Sequence, residues 1–360
     1  MNKVMAITPW PIVEKSFGGA ERCRNLLYSL SDLSILYPYS EIDSINIKKH
    51  LGIDHIEVPL NESYKDEMER LSKIKKIPMD DLWFSILKKQ FLNIKSEIKK
   101  RNPSLIILEH PWLVDFVLDK NFIYSSHNCE ARIAEERFGS NSFLFKLVYS
   151  LEKASLLNCS GLIYTSENDL DDFKKYYNIE INNKILIKNG IKTFELKKRE
   201  IKNKIIFIGS LHQPNVIGAR RMAELASLMP EYSFEIIGAV SSKVSSDLDN
   251  FVCHGEVSEE KMQKIISESF AMCNLIDTGS GTNLKNARVM AQGVPVIASK
   301  KGSRGYQNII IANSNEEVVA SIKHLEKNYK QHSEEALAEA RLLDWKNIVP
   351  DYVDFINKFL

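Results

Sequence analysis

The sequence predicts an α/β protein with two Rossmann-like domains, each organised by a parallel sheet. Its 360 residues are more than one ordinary core needs and are enough for two α/β domains. Short apolar runs alternate with helix-period patterns along nearly the whole chain, which is typical of βαβ units. A charged stretch without periodicity, residues 193–204, separates two such series. We expect the sheets to face a central cleft, because ligands of parallel sheets bind beyond the carboxyl ends of the strands.

The first series is expected to form an N-terminal domain over residues 1–190. Short apolar runs predict its strands at 3–8, 34–36, 45–47, 56–58, 105–108, 122–125, 162–165 and 184–187. Helices are predicted at 20–30 after the Gly18-Gly19 turn, at 82–100, at 143–158 and after the N-cap residue Ser166. The amphipathic pattern is clearest in 82–100, where one face carries Leu82, Ile86, Leu87, Phe91, Ile94 and Ile98.

The second series follows a predicted linker over residues 191–203 and is expected to form a C-terminal domain over 204–335. Its strands are predicted at 205–208, 233–237, 251–254, 271–276, 296–298 and 308–311. Its helices are predicted at 216–228 and 259–268, and two further helices close the chain. The last helix, 345–360, has Trp345, Val349, Tyr352, Phe355 and Ile356 at helical spacing.

The composition indicates a soluble globular protein, with 44% hydrophobic and 26% charged residues. A net charge of +1 excludes a global field that would favour nucleic acid. The five cysteines are scattered without a C-x-x-C pair, which favours reduced thiols in a cytoplasmic protein over a disulfide frame or a zinc site. The first apolar run is too short for a signal peptide, and no run reaches the length of a membrane span.

The segment 277–295 is the strongest indication of a ligand site. Glycine, serine and threonine stand where a strand should end, and a helix-period run follows. Such a turn presents backbone N–H groups and a positive dipole end at one point, which suits a phosphate. The segment is neither a Walker A motif nor a Rossmann fingerprint, because the required glycine and lysine spacings are missing.

Several segments, in one order along nearly the whole chain, resemble a known family. These are Gly18-Gly19-Ala20-Glu21, His127-Asn128-Cys129-Glu130, Leu151-Glu152, Thr165 to Asp169, Asn189-Gly190-Ile191, Phe207 to Ser210, Pro214-Asn215-Val216, Gly279-Ser280-Gly281-Thr282, Leu284-Lys285, Met290-Ala291 and Gly293 to Val296. The chain resembles retaining glycosyltransferases of GT-B fold and GT4 type, in particular the subgroup with Pro-Asn-Val after the first strand of its second domain.

This resemblance implies a GT-B fold and transfer of a sugar from a nucleotide-sugar, with retention of configuration and without a metal or other cofactor. The donor would bind mainly to the C-terminal domain, and a glycan or lipid-linked acceptor to the N-terminal domain. It further implies that a C-terminal helix, residues 336–360, crosses back to the N-terminal domain. The biological setting implied is surface polysaccharide or glycoconjugate assembly.

In the N-terminal domain, the resemblance points to two loops at strand ends. His127 and Glu130 follow the strand 122–125 and are expected to be catalytic residues. His127 is expected to contact the transferred sugar by hydrogen bonding rather than to act as a base. The alternative is a histidine that is only hydrogen-bonded within a loop. Gly18 and Gly19 open a helix, and their amides are expected to reach the donor; alone they would equally suit a plain strand-to-helix turn.

In the C-terminal domain, the expected donor contacts come from three loops. Ser210 and Asn215 follow the first strand, and Gly255 and Val257 are expected to contact the nucleotide base, although any surface loop could have that pattern. Lys285 is the expected cation for the leaving diphosphate. The remaining donor-binding predictions are Gly279, Ser280, Gly281, Thr282, Asn283, Leu284 and Arg288.

Two departures from the family pattern stand out. Arg288 occupies the position of a glutamate that accepts hydrogen bonds from the ribose, and arginine has donors only. A changed donor, ribose recognition from elsewhere, or lost catalysis would each explain it. The arginine and lysine that usually follow the first strand of this domain are also missing; Arg220 and Arg221 are possible substitutes or solvated surface residues.

Residues 73–101 are locally basic, with nine Lys or Arg residues among aromatic ones. This segment is expected either to contact an anionic membrane surface, at the inner face where a lipid-linked acceptor is found, or to be an ordinary solvated helix face.

The leading functional prediction is a glycosyltransferase. The alternatives are a catalytically weak GT-B subunit that binds nucleotide-sugar, glycan or a protein partner, and a nucleotide-sugar epimerase. The donor, acceptor and oligomeric state stay open.

Overall fold

Two parallel sheets of buried, mostly apolar strands organise the chain. The computed structural model describes residues 3–14, 18–60, 63–82, 92–193, 199–278 and 282–360. The chain divides into two compact units, the first formed by Met1–Lys188 with Ile348–Leu360, and the second by Asn189–Asn347. The prediction of two α/β domains with parallel sheets is confirmed.

The first unit contains an eight-stranded sheet in the order β3-β4-β2-β1-β5-β6-β7-β8. Its strands are β1 (Val4–Ile7), β2 (Leu33–Tyr39), β3 (Asn46–His50), β4 (Ile53–Pro59), β5 (Leu105–Glu109), β6 (Phe122–Ser125), β7 (Gly161–Tyr164) and β8 (Lys184–Leu186). Neighbouring strands are parallel except β3, which pairs antiparallel with β4 at the sheet edge. The strands β1, β5, β6 and β7 are buried at every position, as both faces of a parallel sheet require.

Helices cover this sheet. They are α1 (Gly18–Leu27), α2 (Tyr64–Lys75), α3 (Met79–Leu82), α4 (Leu92–Arg101), α5 (Glu130–Phe138), α6 (Phe143–Asn158) and α7 (Glu167–Tyr177), with a 3-10 helix at Pro111–Phe116. Ser142 and Ser166 cap α6 and α7, because their side chains accept the backbone N–H of Phe145 and Asp169. Of the predicted helix 82–100, residues 92–100 are helical within α4 and residue 82 ends α3, whereas residues 83–91 lie outside the described residues.

The second unit contains a six-stranded, all-parallel sheet in the order β11-β10-β9-β12-β13-β14. Its strands are β9 (Lys204–Ile208), β10 (Ser233–Ile237), β11 (Phe251–Gly255), β12 (Ala271–Asn274), β13 (Val296–Ala298) and β14 (Ile310–Ile311). Its helices are α8 (Gln213–Leu228), α9 (Glu259–Glu268), α10 (Leu284–Met290) and α11 (Asn315–Leu342), with a 3-10 helix at Ala239–Lys243; the final helix is α12 (Trp345–Asn357). Helix α8 begins three residues earlier than predicted, because Pro214 is compatible with a first helical turn.

The unit boundaries differ from the predicted domain boundaries for two reasons. Arg199, in the predicted linker, donates to the carbonyl oxygens of Ser267, Ser269 and Gly293 and so belongs to the second unit. Helix α11 continues to Leu342, where the predicted C-terminal segment would already have begun at residue 336. The chain enters the first unit again only at Ile348, within α12.

Close packing ties the start of the second unit to the start of α12. A Cβ atom on Gly190 would lie 2.5 Å from the ring of Trp345, so only glycine fits there. Ile191 bridges to Asp344 and exchanges backbone hydrogen bonds with Leu343 and Trp345. Among the described residues, no helix combines the length and the apolar character that crossing a membrane would need.

Candidate functional site

His127 lies at the carboxyl edge of the first sheet, beside the end of β5. Parallel pairing of β5 and β6 places Glu109 and the loop after Ser125 at the same edge. The Nε2 atom of His127 lies 2.7 Å from Oε2 of Glu109, and both residues are buried. Because an ionised carboxylate only accepts, Nε2 carries the proton and Nδ1 keeps its lone pair.

The protonation of this pair follows from its surroundings. Burial, and then the neighbouring His110, lower the pKa of His127 to about 4. Burial alone would raise the pKa of Glu109, but the His127 hydrogen bond and the nearby charge of Arg22 lower it overall. The pair is therefore a neutral imidazole and an ionised carboxylate at neutral pH. A neutral His127 suits hydrogen bonding to a substrate, the role predicted for it.

Cys23 and Arg22, both on α1, are buried beside Glu109. The Sγ atom of Cys23 lies 3.8 Å from Nε2 of His127. Ligand-type atoms of Cys23, Glu109 and His127 all lie within 4.8 Å of one another. Burial and the charge of Glu109 raise the pKa of the Cys23 thiol well above its ordinary value, so Cys23 is a protonated thiol rather than a nucleophilic thiolate. The absence of a metal requirement stays a prediction.

Glu130, the other residue predicted for this loop, contacts a histidine that the motif did not include. Its Oε1 atom lies 3.2 Å from Nδ1 of His110, directly after β5. The His110 ring packs on the His127 ring, with centroids 4.1 Å apart, and edge-on against Trp10 at 4.8 Å. The structure thus brings two histidine–carboxylate pairs together. A signal was present in the sequence, since Glu109 and His110 directly follow the predicted strand 105–108.

Glu152 holds the loop that carries His127 and Glu130. Its carboxylate accepts the backbone N–H groups of Glu130 and Ala131 at 2.9 Å, at the start of α5, and the hydroxyl groups of Tyr124 and Tyr177. Burial, followed by the charge of Glu130, raises the pKa of Glu152 to about 7. This network explains why Leu151-Glu152 is part of the motif set, although the sequence alone assigned it no role.

The glycine turn before α1 is only partly described. Helix α1 begins at Gly18, and Gly18 and Gly19 are partly exposed. Residues 15–17 lie outside the described residues. The predicted contact of Gly18 and Gly19 with a donor stays a prediction.

In the second unit, Lys285 projects from α10 to the end of β9. Its Nζ atom donates to the carbonyl oxygen of Ile208 and to Oδ1 of Asn215, each at 2.9 Å, and lies 4.5 Å from the ring centroid of Phe207. Burial lowers the pKa of Lys285 to about 7. Asn215 in turn donates to the hydroxyl and carbonyl of Ser210 at 3.2 Å. Three predicted donor residues are thus joined by hydrogen bonds.

The residues before α10 are positioned by the loop that contains Gly302, which the sequence did not predict as part of the site. Thr282 accepts a hydrogen bond from Asn189, and Asn283 donates to the carbonyl oxygen of Gly302, ahead of Leu284. The same carbonyl accepts from Asn274 and Asn286, which are fully buried. The signal available in the sequence was Asn274, a polar residue within the otherwise apolar segment 271–276. Gly279, Ser280 and Gly281 lie outside the described residues.

The predicted base contacts lie at the carboxyl end of β11, where Gly255 is the last residue of the strand and Val257 follows it. Gly255 has a φ of +68° and its carbonyl accepts from the backbone N–H of Gly238. Val257 packs partly buried against the core of the unit. Their positions at the end of a parallel strand fit a ligand loop, and their role stays a prediction.

Arg288 forms an ion pair with Glu259, at the start of α9. The hydrogen bond from Arg288 lowers the pKa of Glu259. The arginine therefore has a carboxylate partner within the protein.

Arg221 donates to the carbonyl of Asn313 and to Asn315, near the start of α11, whereas Arg220 is exposed.

Two α/β units with parallel sheets and these strand-end loops define the GT-B fold. Residues 202–328 match the family model described as "Glycosyl transferases group 1". No curated protein matches the chain. The family match lies in the unit that carries Lys285 and supports a glycosyltransferase.

Solved structures share the fold at low sequence identity. The sucrose-phosphate synthase from Thermosynechococcus elongatus has a TM-score of 0.72 and 13% identity, over 99% of this chain and 98% of that one. A UDP-forming trehalose-phosphate synthase from Burkholderia xenovorans has a TM-score of 0.69 and 11% identity, over 100% and 98%. The trehalose-6-phosphate protein from E. coli, bound with UDP-2-fluoro glucose, has a TM-score of 0.68 and 12% identity, over 99% and 98%. At these identities the likeness concerns the fold.

Proposed function

We propose that the protein is a glycosyltransferase that moves a sugar from a nucleotide-sugar to a glycan, lipid-linked or other acceptor. The observation that carries the proposal is the match of residues 202–328 to the glycosyl transferases group 1 model. A fold shared with a protein bound to a UDP-sugar analogue is consistent with it. Retention of configuration and independence of metal are part of the proposal, through the resemblance to GT4 enzymes.

Lys285 is the proposed cation for the diphosphate of the donor. Its ammonium is held by two uncharged acceptors and an aromatic ring, without a carboxylate among its hydrogen bonds in the described part of the chain. A phosphate would supply the missing counter-charge and favour the protonated form. Ser210 and Asn215 would then hold this lysine and line the same loop.

The first unit is proposed to bind the acceptor and to contact the transferred sugar through His127. Its neutral imidazole, oriented by Glu109, is suited to accept a hydrogen bond from a sugar hydroxyl at Nδ1. No protein nucleophile is invoked. The rate enhancement would come from positioning and from stabilising the leaving diphosphate.

The proposal is tested by measuring the binding of a panel of nucleoside diphosphates and nucleotide-sugars with calorimetry and thermal unfolding. A ligand at about 100 times its Kd should stabilise the fold by about 2.7 kcal/mol. If no member of the panel binds or stabilises the protein at millimolar concentration, the proposal fails. Addition of EDTA is expected to leave both binding and turnover unchanged.

A second candidate function is a GT-B subunit that binds such ligands without turnover. Arg288 favours this candidate, because it stands where the resembled family has a ribose-binding glutamate. Its guanidinium forms an ion pair with Glu259. Binding of a nucleotide-sugar without release of nucleoside diphosphate, across a panel of sugar acceptors, would support this candidate over the enzyme.

A peripheral membrane contact through 73–101 is also proposed. At the end of α2, Ile74 is 60% exposed, and the Lys75 ammonium lies 4.8 Å from the ring centroid of the partly exposed Phe143. Cations beside exposed apolar groups suit an anionic lipid surface. Sedimentation with anionic but not zwitterionic vesicles, lost at high salt, would support it; equal recovery with both would contradict it.

A further inference from the structure

We propose that His110 is a second substrate-contacting imidazole of the first unit, which binds a hydroxyl group of an uncharged sugar. This inference rests on the proposed function and specifies the chemistry of the substrate at that site. It concerns a residue outside the motifs that carry the family resemblance. Three independent observations support it, from the backbone, the ring nitrogens and the surrounding charges.

The backbone of His110 has an unusual conformation. Its φ is +65° and its ψ is 160°, a combination that is nearly restricted to glycine. A β-carbon in this region is strained, and such strain persists where the surrounding structure enforces it, commonly at ligand sites. The conformation is enforced from both sides: the residue follows β5 directly, and Pro111 begins the 3-10 helix.

The two ring nitrogens of His110 have different surroundings. Nδ1 lies 3.2 Å from Oε1 of Glu130, so it carries the proton that this carboxylate accepts. Nε2 is buried and has no hydrogen-bond partner among the described residues. A buried polar atom without a partner is costly, and a ligand is one physical reason for retaining it. The contacts with Trp10 and His127 fix the ring so that Nε2 has a defined direction.

The surrounding charges select the kind of ligand. Two carboxylates, Glu109 and Glu130, each lie beside one nitrogen of an imidazole, and a neutral imidazole held in this way has its lone pair on the other nitrogen, Nε2 in His110 and Nδ1 in His127. Two adjacent acceptors backed by carboxylates favour a ligand that donates hydrogen bonds, such as a sugar with two hydroxyl groups. A phosphate would be repelled by the same carboxylates. Arg22, whose charge acts on Glu109, donates to the carbonyl oxygen of Lys188.

The first experiment observes the ring nitrogens directly in the unmodified protein. The chain has eight histidines, and ¹⁵N-histidine labelling reports the protonation of each ring nitrogen. Signals of His110 are assigned by their loss in His110→Asn. We expect the Nε2 signal to shift when the nucleotide-sugar found by the binding panel is added, and not when the bare nucleoside diphosphate is added. A nucleotide-sugar that binds and leaves this signal unchanged overturns the inference.

If no nucleotide-sugar binds, the proposed function fails, and the inference is still tested. The same spectra are then recorded with free glucose, mannose and N-acetylglucosamine. A shift of Nε2 with any of them supports a sugar contact without the proposed function. No shift with any of them overturns the inference.

The second experiment separates the two ring nitrogens by substitution. The amide of His110→Asn can donate to Glu130 in place of Nδ1 but has no group at Nε2, whereas His110→Gln places an amide nearer to Nε2. We expect kcat/KM to fall by about 10- to 100-fold in His110→Asn and to recover in part in His110→Gln. His254→Asn is the matched control, because His254 lies 2.7 Å from Glu235 in the second unit. Equal activity of His110→Asn and the wild type would overturn the inference.

Discussion

The Oε2 atom of Glu109 accepts a hydrogen bond from Nε2 of His127 at 2.7 Å, at the carboxyl edge of the first sheet. Both residues are buried, and the charge of Arg22 lies close enough to act on the carboxylate. The contact decides which imidazole nitrogen keeps its lone pair, since a ring with Nε2–H has the lone pair at Nδ1. Glu109 is therefore a positioning residue for His127.

We predict that Glu109→Gln lowers kcat/KM by about tenfold or more, because a glutamine can either accept from or donate to Nε2 and no longer selects one tautomer. The variant should also lose about 3 kcal/mol of unfolding free energy, since it removes a buried charge beside Arg22. Glu235→Gln is the control, because it removes the partner of His254 at the same distance in the second unit. Steady-state kinetics and urea unfolding measure both effects. Unchanged kinetics in Glu109→Gln would contradict the role assigned to this carboxylate.

Lys285 should make donor binding and stability depend on pH in opposite ways. Burial lowers its pKa to about 7, whereas an unfolded lysine has a pKa of about 10.4. Between these values the unfolded chain binds more protons, so the unfolding free energy should rise as pH increases from 7 to 10. Affinity for a nucleoside diphosphate should fall over the same range, because the ammonium loses its charge. Lys285→Met should abolish both dependences and weaken donor binding; a variant that binds the diphosphate as the wild type does would exclude Lys285 from the site.

Arg288→Ala tests whether Arg288 acts on the donor. An exposed ion pair contributes about 0–1 kcal/mol, so the loss of stability should be small. We expect weaker binding of the nucleotide-sugar by calorimetry. Glu259→Gln, which removes the partner and keeps the arginine, is expected to bind the donor as well as the wild type. If Arg288→Ala and Glu259→Gln lose affinity equally, the ion pair itself rather than Arg288 supports the site. If neither variant loses affinity, Arg288 is structural.

Arg199→Lys should destabilise the second unit. The guanidinium of Arg199 donates to three carbonyl oxygens, at the end of α9 and after α10, and contacts the Tyr329 hydroxyl at 3.0 Å. A lysine ammonium cannot reproduce this fork, and the loss of two hydrogen bonds predicts about 1–3 kcal/mol. Arg70→Lys, on the exposed face of α2, is the control and should change stability by less than about 0.5 kcal/mol. Equal midpoints of thermal unfolding in both variants would contradict this assignment.

The alternation of apolar runs and helical patterns was enough to predict both sheets and at least part of each strand that the structure describes. Apolar periodicity reports burial, and burial on both faces is what a parallel sheet requires. The same pattern could not reveal the β3 edge pairing, because the run 46–50 is largely polar and is held by its antiparallel partner β4.

The sequence offered candidate site residues only where a motif marked them. His127, Lys285 and Asn215 became candidates in this way, and the structure adds the contacts that orient them. His110 and Gly302 were missed, because their importance comes from neighbours that are distant along the chain: Glu130 for His110, and the asparagines 274, 283 and 286 for Gly302. The boundary at Ile348 also depends on contacts that no local pattern carries.

The most direct test of the central claim is proton NMR of a nucleotide-sugar panel, beginning with UDP-glucose, incubated with the protein and candidate sugar acceptors in the presence of EDTA. We predict release of the nucleoside diphosphate together with a new glycosidic anomeric signal that has the configuration of the donor sugar. The Lys285→Met variant should give neither. A nucleotide-sugar that stays intact while bound, for every donor and acceptor, would contradict the assignment as a transferase.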